Sequence, residues 1–153
     1  MEWPTAPRIS GFRGFFGDAR GDVITNIQRV IGSSHGDQLF GGAQNDVLVG
    51  GAGADTIMGN GGDDRLAGGS GADTFIFTQG FGSDRITDFS QGDLIALEPD
   101  AWGAAEMGDA SRWIELYGHQ VGSFVELRLS ETDILRIDNM TLEALAPSII
   151  LWD

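Results

Sequence analysis

The chain has 153 residues, enough for one domain with a modest core. Its 23 acidic residues against 9 basic ones give a formal charge of −14, which repels nucleic acid and anionic membranes and points towards cations. Every Lys/Arg position is Arg, so lysine-dependent catalysis is excluded, and with no Cys there are neither disulfides nor thiolate metal sites.

Residues 1–21 form an N-terminal flank without the uninterrupted apolar run of a cleavable signal peptide, and nowhere do eighteen apolar residues follow one another, so no membrane insertion is expected. The tripeptide Arg20-Gly21-Asp22 is too short a motif to carry weight. The stretch DVITNIQRVIG (22–32) is rich in β-branched residues and reads as a strand leading into a glycine-rich block.

Residues 32–76 divide without a gap into five nonapeptides: GSSHGDQLF, GGAQNDVLV, GGAGADTIM, GNGGDDRLA and GGSGADTFI. Gly holds the first position throughout, Asp the sixth (37, 46, 55, 64, 73), and an apolar residue the eighth (Leu39, Leu48, Ile57, Leu66, Phe75); Val30 extends that apolar column one step back. A flexible glycine linker needs neither column. Beyond the block, TFIFTQGFGSDRITDFSQGDLIALE (74–98) reads as short strands broken by Gly and Asp turns, with Asp88 and Asp93 as turn residues able to help close a terminal site. A loop over 99–110 is expected next, then a β-hairpin from the alternation in RWIELYGHQVGSFVELRLS (112–130), then a strand at ILRI (134–137). Asp138 or Asn139 is positioned to cap a helical turn running to Leu145, ended by Pro147 before the apolar tail SIILWD.

A nine-residue period suits six turning residues followed by three extended ones, whose central side chain points inward. Two nonapeptides then complete one coil of 18 residues, with repeats one, three and five stacked on one edge and two and four on the other. Stacking brings carboxylates within about 5 Å of each other, a repulsion of roughly 0.8 kcal/mol in water and about 3 kcal/mol at an effective dielectric of 20. A divalent cation between turns reverses that sign. Carboxylates and backbone carbonyls, without Cys or a His cluster, are hard donors that suit Ca²⁺ better than the stricter octahedron of Mg²⁺.

The five nonapeptides resemble the RTX, or haemolysin-type calcium-binding, repeats, GGxGxDxUx with U apolar. The resemblance implies an all-β fold, a right-handed parallel β-roll over 22–98, with residues 99–153 as a small β-rich C-terminal cap. GSDRITDFSQGDLIAL (82–97) is similar to the segment that follows the roll in serralysin-type proteases. It further implies calcium between turns one coil apart, held by Asp37, Asp46, Asp55, Asp64 and Asp73 and by turn carbonyls. Those carbonyls would belong to Ser33 and His35, Gly42 and Gln44, then Gly50, Gly51 and Gly53, Gly59, Asn60 and Gly62, and Gly68, Gly69 and Gly71. Asp84 matches the closing ligand beyond the last turn. Three to five calcium ions are expected, with the first turn the weakest because Ser33 and His35 replace glycines.

The same resemblance implies a secreted, non-catalytic module that folds on extracellular calcium, exported by type I secretion machinery reading an uncleaved C-terminal signal. Two other readings stand beside it: the tail of a larger extracellular hydrolase or polysaccharide-modifying enzyme with its catalytic domain upstream, and an adhesive, glycan-binding module using Trp102, Trp113, Tyr117 and Trp152. GSSHG (32–36) fits the G-x-S-x-G nucleophile elbow, but a helix must follow such an elbow and DQLFGG does not promise one. His35 and His119 have no second ligand at zinc spacing.

Overall fold

A computed structural model describes residues 29–98, Trp102 and residues 110–151. The flank, residues 22–28 of the expected lead-in strand, most of the loop expected over 99–110, and residues 152–153 lie outside the described residues. Eight short strands come first: β1 (Arg29–Ile31), β2 (Gln38–Phe40), β3 (Val47–Ala52), β4 (Thr56–Met58), β5 (Arg65–Ser70), β6 (Thr74–Phe77), β7 (Ser83–Ile86) and β8 (Leu94–Leu97). They alternate between two parallel sheets, because each six-residue turn carries the chain across to the other side. One sheet runs β1-β3-β5-β7 and the other β8-β6-β4-β2. This is a parallel β-roll.

The register shows the 18-residue coil directly: Val30 pairs with Leu48 and Leu48 with Leu66 in one sheet, Leu39 with Ile57 and Ile57 with Phe75 in the other. Past the nonapeptides the coil lengthens to 20 residues, since Leu66 pairs with Ile86 and Phe75 with Ile95. The eighth-position side chains face one another between the sheets and are fully buried from Leu48 to Phe75. Phe75 also packs against Phe89, with ring centroids 6.0 Å apart. Truncating a buried Phe leaves a cavity in a core only one side chain wide, so Phe75→Ala should cost roughly 3–5 kcal/mol in urea unfolding of the folded chain.

The C-terminal part continues both sheets. β9 (Gly118–Val121), β10 (Phe124–Arg128) and β11 (Ile134–Asp138) extend the first sheet, β11 lying parallel to β7 and the other two antiparallel. β12 (Ile149–Leu151) adds a parallel edge strand beside β8. The apolar tail is thus a strand of the roll as far as Leu151.

Three expectations need correction. The hairpin begins only at Gly118, because residues Ala110–Tyr117 form helix α1. Alternation would place Ile114 and Leu116 on one face, whereas Trp113 and Ile114 are buried and Leu116 is exposed, a helical distribution. The short helix α2 (Leu142–Leu145) is capped by Thr141, whose hydroxyl accepts from the Ala144 amide at 3.3 Å, and not by Asp138 or Asn139. Asp138 remains in β11, held by Arg85 at 2.7 Å and Arg136 at 2.9 Å. Pro147 sits within a 3₁₀ turn at Ala146–Ser148 rather than ending the chain's helical segment outright. Trp102 and Trp113 join Phe77, Phe81 and Tyr117 in one aromatic cluster that closes the end of the roll.

Candidate metal centre: the aspartate columns

From Asp55 onward, each aspartate of the series turns its carboxylate towards the preceding coil. One oxygen, Oδ1, accepts from a backbone amide: Asp55 from Asp37 at 2.7 Å, Asp64 from Asp46 at 2.7 Å, and Asp73 from Asp55 at 2.9 Å. Asp84 takes the Asp64 amide at 2.9 Å and Asp93 the Asp73 amide at 3.0 Å. The result is two columns, 37-55-73-93 on one edge and 46-64-84 on the other. All seven aspartates are buried.

The second oxygen divides the turns into two kinds. In the first two repeats, Oδ2 accepts from the amide two positions into the same repeat, Ser33 for Asp37 and Gly42 for Asp46 at 2.7 Å. In Asp55, Asp64, Asp73 and Asp84 the Oδ2 atom is buried without any hydrogen-bond partner. The backbone explains the difference. Positions two and four of repeats three to five are left-handed, at Gly51 and Gly53, Asn60 and Gly62, and Gly69 and Gly71. Ser33, His35, Gly42 and Gln44 are not left-handed, so the first two turns avoid the strain that non-glycine residues would meet there. Their second-position amides fold onto their own aspartates instead.

First-position glycine has a separate cause. A Cβ at Gly50, Gly59 or Gly68 would collide with Oδ2 of the aspartate five residues on, and one at Gly50 would also meet the Gly68 carbonyl. The unpartnered oxygen and the carbonyls of stacked turns therefore converge where no side chain fits.

Burial pushes these carboxyls up. Asp64 is raised from 3.8 to about 6, chiefly by desolvation and then by the neighbouring Asp46 and Asp63 charges, against the Asp46 amide. Asp84 is raised to about 8, again chiefly by desolvation, with Asp64, Asp63 and Asp133 adding to it. Asp55 and Asp73 shift upward for the same first reason. A buried carboxylate oxygen with no donor costs free energy, and a hard cation is the partner that such oxygens and carbonyls fit. Among the described residues, no three acidic or histidine side chains converge on one point, so backbone oxygens must supply much of any coordination shell.

Three carboxylates close this system at its C-terminal end. Asp93 ends one column, with its Oδ2 accepting from the Ser90 amide at 2.7 Å. Asp88 accepts from Gly68 and Gly69 at 3.0 and 2.9 Å. Asp133, not among the ligands expected from the sequence, takes the amides of Gly80 and Gly82 and the indole N–H of Trp102, pinning the cap to the last turn. The signal for Asp84, Asp93 and Asp133 is the Asp-x-apolar triplet of the repeats, recurring as Asp84-Arg85-Ile86, Asp93-Leu94-Ile95 and Asp133-Ile134-Leu135. Ser34, the would-be nucleophile, lies exposed in a turn followed by β2 rather than a helix. His35 and His119 are both exposed.

A two-sheeted parallel roll whose turns stack paired carboxylates and carbonyls defines a cation-binding β-solenoid. The particular family follows from comparison: the model described as RTX calcium-binding nonapeptide repeat (4 copies) matches residues 31–66, 40–75 and 49–86. Residues 31–86 are RTX calcium-binding repeats. The AlgE6R3 subunit of the Azotobacter vinelandii mannuronan C5-epimerase is similar at 27% identity and TM-score 0.57, over 80% of this chain and 76% of that one. The extracellular lipase LipA of Serratia marcescens shares the fold at 22% identity and TM-score 0.50, over 82% of this chain but only 21% of the lipase. No curated protein sequence matches the chain.

Proposed function

We propose that this chain is a calcium-dependent folding module of a secreted protein, with the ions held between turns one coil apart. The observation that carries the reading is the set of four buried, partnerless Oδ2 atoms on Asp55, Asp64, Asp73 and Asp84. Asp37 and Asp46 complete the columns, and the carbonyls come from the first, second and fourth turn positions, Gly50, Gly51 and Gly53 with Gly68, Gly69 and Gly71 on one edge and Gly59, Asn60 and Gly62 on the other. Calcium would supply the positive charge that makes stacked carboxylates attractive, so its binding free energy is folding free energy. Three to five ions follow from counting facing turns. The left-handed turns at 50–54, 59–63 and 68–72 bind more tightly than those at 32–36 and 41–45.

Isothermal titration of the whole chain with calcium, in magnesium, tests this: three to five sites support it, and none, or equal heats from magnesium, contradicts it. Asn60 offers a finer check. Its side-chain amide donates to the Gly41 carbonyl at 2.8 Å, across the gap between turns 41–45 and 59–63. That bond holds an oxygen that a cation would otherwise take. With a net hydrogen bond at about 0.5–1.5 kcal/mol, Asn60→Gly should tighten one calcium site about three- to tenfold and weaken the calcium-free fold.

Below micromolar calcium a chain of charge −14 stays open, and millimolar calcium outside the cell folds it. This suits export by type I secretion machinery, with residues 99–153 as cap and signal region. Secretion from cells with and without such an exporter tests that part. The likeness to a subunit of an epimerase favours a place beside a catalytic domain in a longer extracellular protein, the module itself being non-catalytic.

A further inference from the structure

The charges of this acidic chain are sorted by surface. Six arginines lie among the described residues, and five of them, Arg29, Arg65, Arg85, Arg128 and Arg136, fall on strands of the first sheet at positions that alternate with its buried residues. They point outward. Among the described strand residues only Asp138 and Glu126 accompany them on that face, a formal +3 from five cations and two carboxylates on those strands.

The register aligns four of them in one row across five adjacent strands: Arg29 on β1, Val47 on β3, Arg65 on β5, Arg85 on β7 and Arg136 on β11. Arg65 and Arg85 are direct cross-strand partners, as are Arg85 and Arg136, an arrangement that like charges disfavour. Asp138 relieves the last pair. Arg29 and Arg65 are exposed and have no carboxylate partner among the described residues. The fold does not require this. The equivalent row of the other sheet is Gln38, Thr56, Thr74 and Leu94, without charge.

We propose that the outer face of the first sheet binds a linear carboxylated polysaccharide, laid along the axis of the roll, with Arg29, Arg65, Arg85 and Arg136 taking its carboxylates. Strand spacing of about 4.8 Å makes the row roughly 19 Å long, with a guanidinium on every strand but β3 to meet carboxylates spaced along the sugar chain. Each planar guanidinium suits a carboxylate bidentately. Ile31, Val49 and Ala67, two residues beyond the row on the same face, offer low apolar surface to sugar rings. The aspartate turns border this stripe on both edges. They disfavour a dense, broad polyanion such as duplex DNA, and the net −14 disfavours a second copy.

The test uses the full chain in millimolar calcium, with hexameric oligomannuronate as probe and cellohexaose as neutral control, followed by calorimetry at two salt concentrations. Oligomannuronate should bind, more weakly at high salt, and cellohexaose should not. Arg29→Gln with Arg65→Gln should lose at least tenfold in affinity while the calcium midpoint for folding stays unchanged, which separates this face from the calcium reading. Val47→Arg, filling the uncharged place in the row, should gain affinity. Equal binding of cellohexaose, tighter binding of duplex DNA, an unaltered affinity in the double variant, or a dimer that the double variant dissolves would each overturn the proposal.

Discussion

Asp64→Asn should move the chain in opposite directions with and without calcium. With calcium, the calcium concentration at half-folding rises about tenfold, equivalent to about 1.4 kcal/mol, because a charged oxygen facing the turn at 41–45 is lost. In excess chelator at pH 8 the same variant should be more stable than the parent. Its Oδ1 still accepts from the Asp46 amide, while the buried negative charge with no donor on Oδ2 has gone. Asp64 is the group to choose because burial, then Asp46 and Asp63, raise its carboxyl to about 6. Glu131→Gln removes the same charge at an exposed site and should shift neither quantity. Circular dichroism at constant ionic strength reads both; a destabilised variant in chelator would contradict the role given to Oδ2.

Acid should fold the calcium-free chain. The folded-state carboxyls of Asp64 and Asp84 lie at about 6 and about 8, both above 3.8, with Asp55 and Asp73 raised as well. The folded state therefore keeps protons that the unfolded chain releases, so this contribution to stability is complete below about pH 4 and is lost as pH rises through about 6 and then about 8. In chelator, β structure should decline from pH 5 to pH 9. Calcium requires the deprotonated carboxylates, so the calcium midpoint should move the other way, rising as pH falls from 8 to 5.5, with protons released on binding. Asp84→Asn should flatten the upper part of the chelator profile, near pH 8. A calcium-free chain equally unfolded at pH 5 and pH 9 would show that buried carboxyls do not limit the fold.

The roll itself could be read from the sequence because two residue classes recur in one phase: a column of apolar residues forces the coil, and a column of aspartates forces a question about charge. Where only one column survives, reading becomes harder. Asp84, Asp93 and Asp133 keep the Asp-x-apolar triplet, but a two-residue lengthening between Asp73 and Asp84 breaks the nine-residue phase, and Asp133 reaches the last turn across some fifty residues of chain. Helix α1 escaped because Ile114 and Leu116 flank Glu115 as they would in a strand, while Trp113, Ile114 and Tyr117 fit one face of a helix over the same short span. The division into two kinds of turn depends on which second- and fourth-position residues adopt left-handed backbone, and Gly42 shows that glycine permits this without compelling it. The arginine row is invisible in the linear sequence, since it needs the change of register from 18 to 20 residues between β5 and β7.

The most direct test of the central claim is far-ultraviolet circular dichroism of the whole chain at pH 8, titrated with calcium from excess chelator and repeated with magnesium. Calcium-dependent folding predicts little β signal in chelator and a cooperative rise with calcium that magnesium does not reproduce. A spectrum already β-rich in chelator at pH 8, and unchanged by calcium, would contradict it.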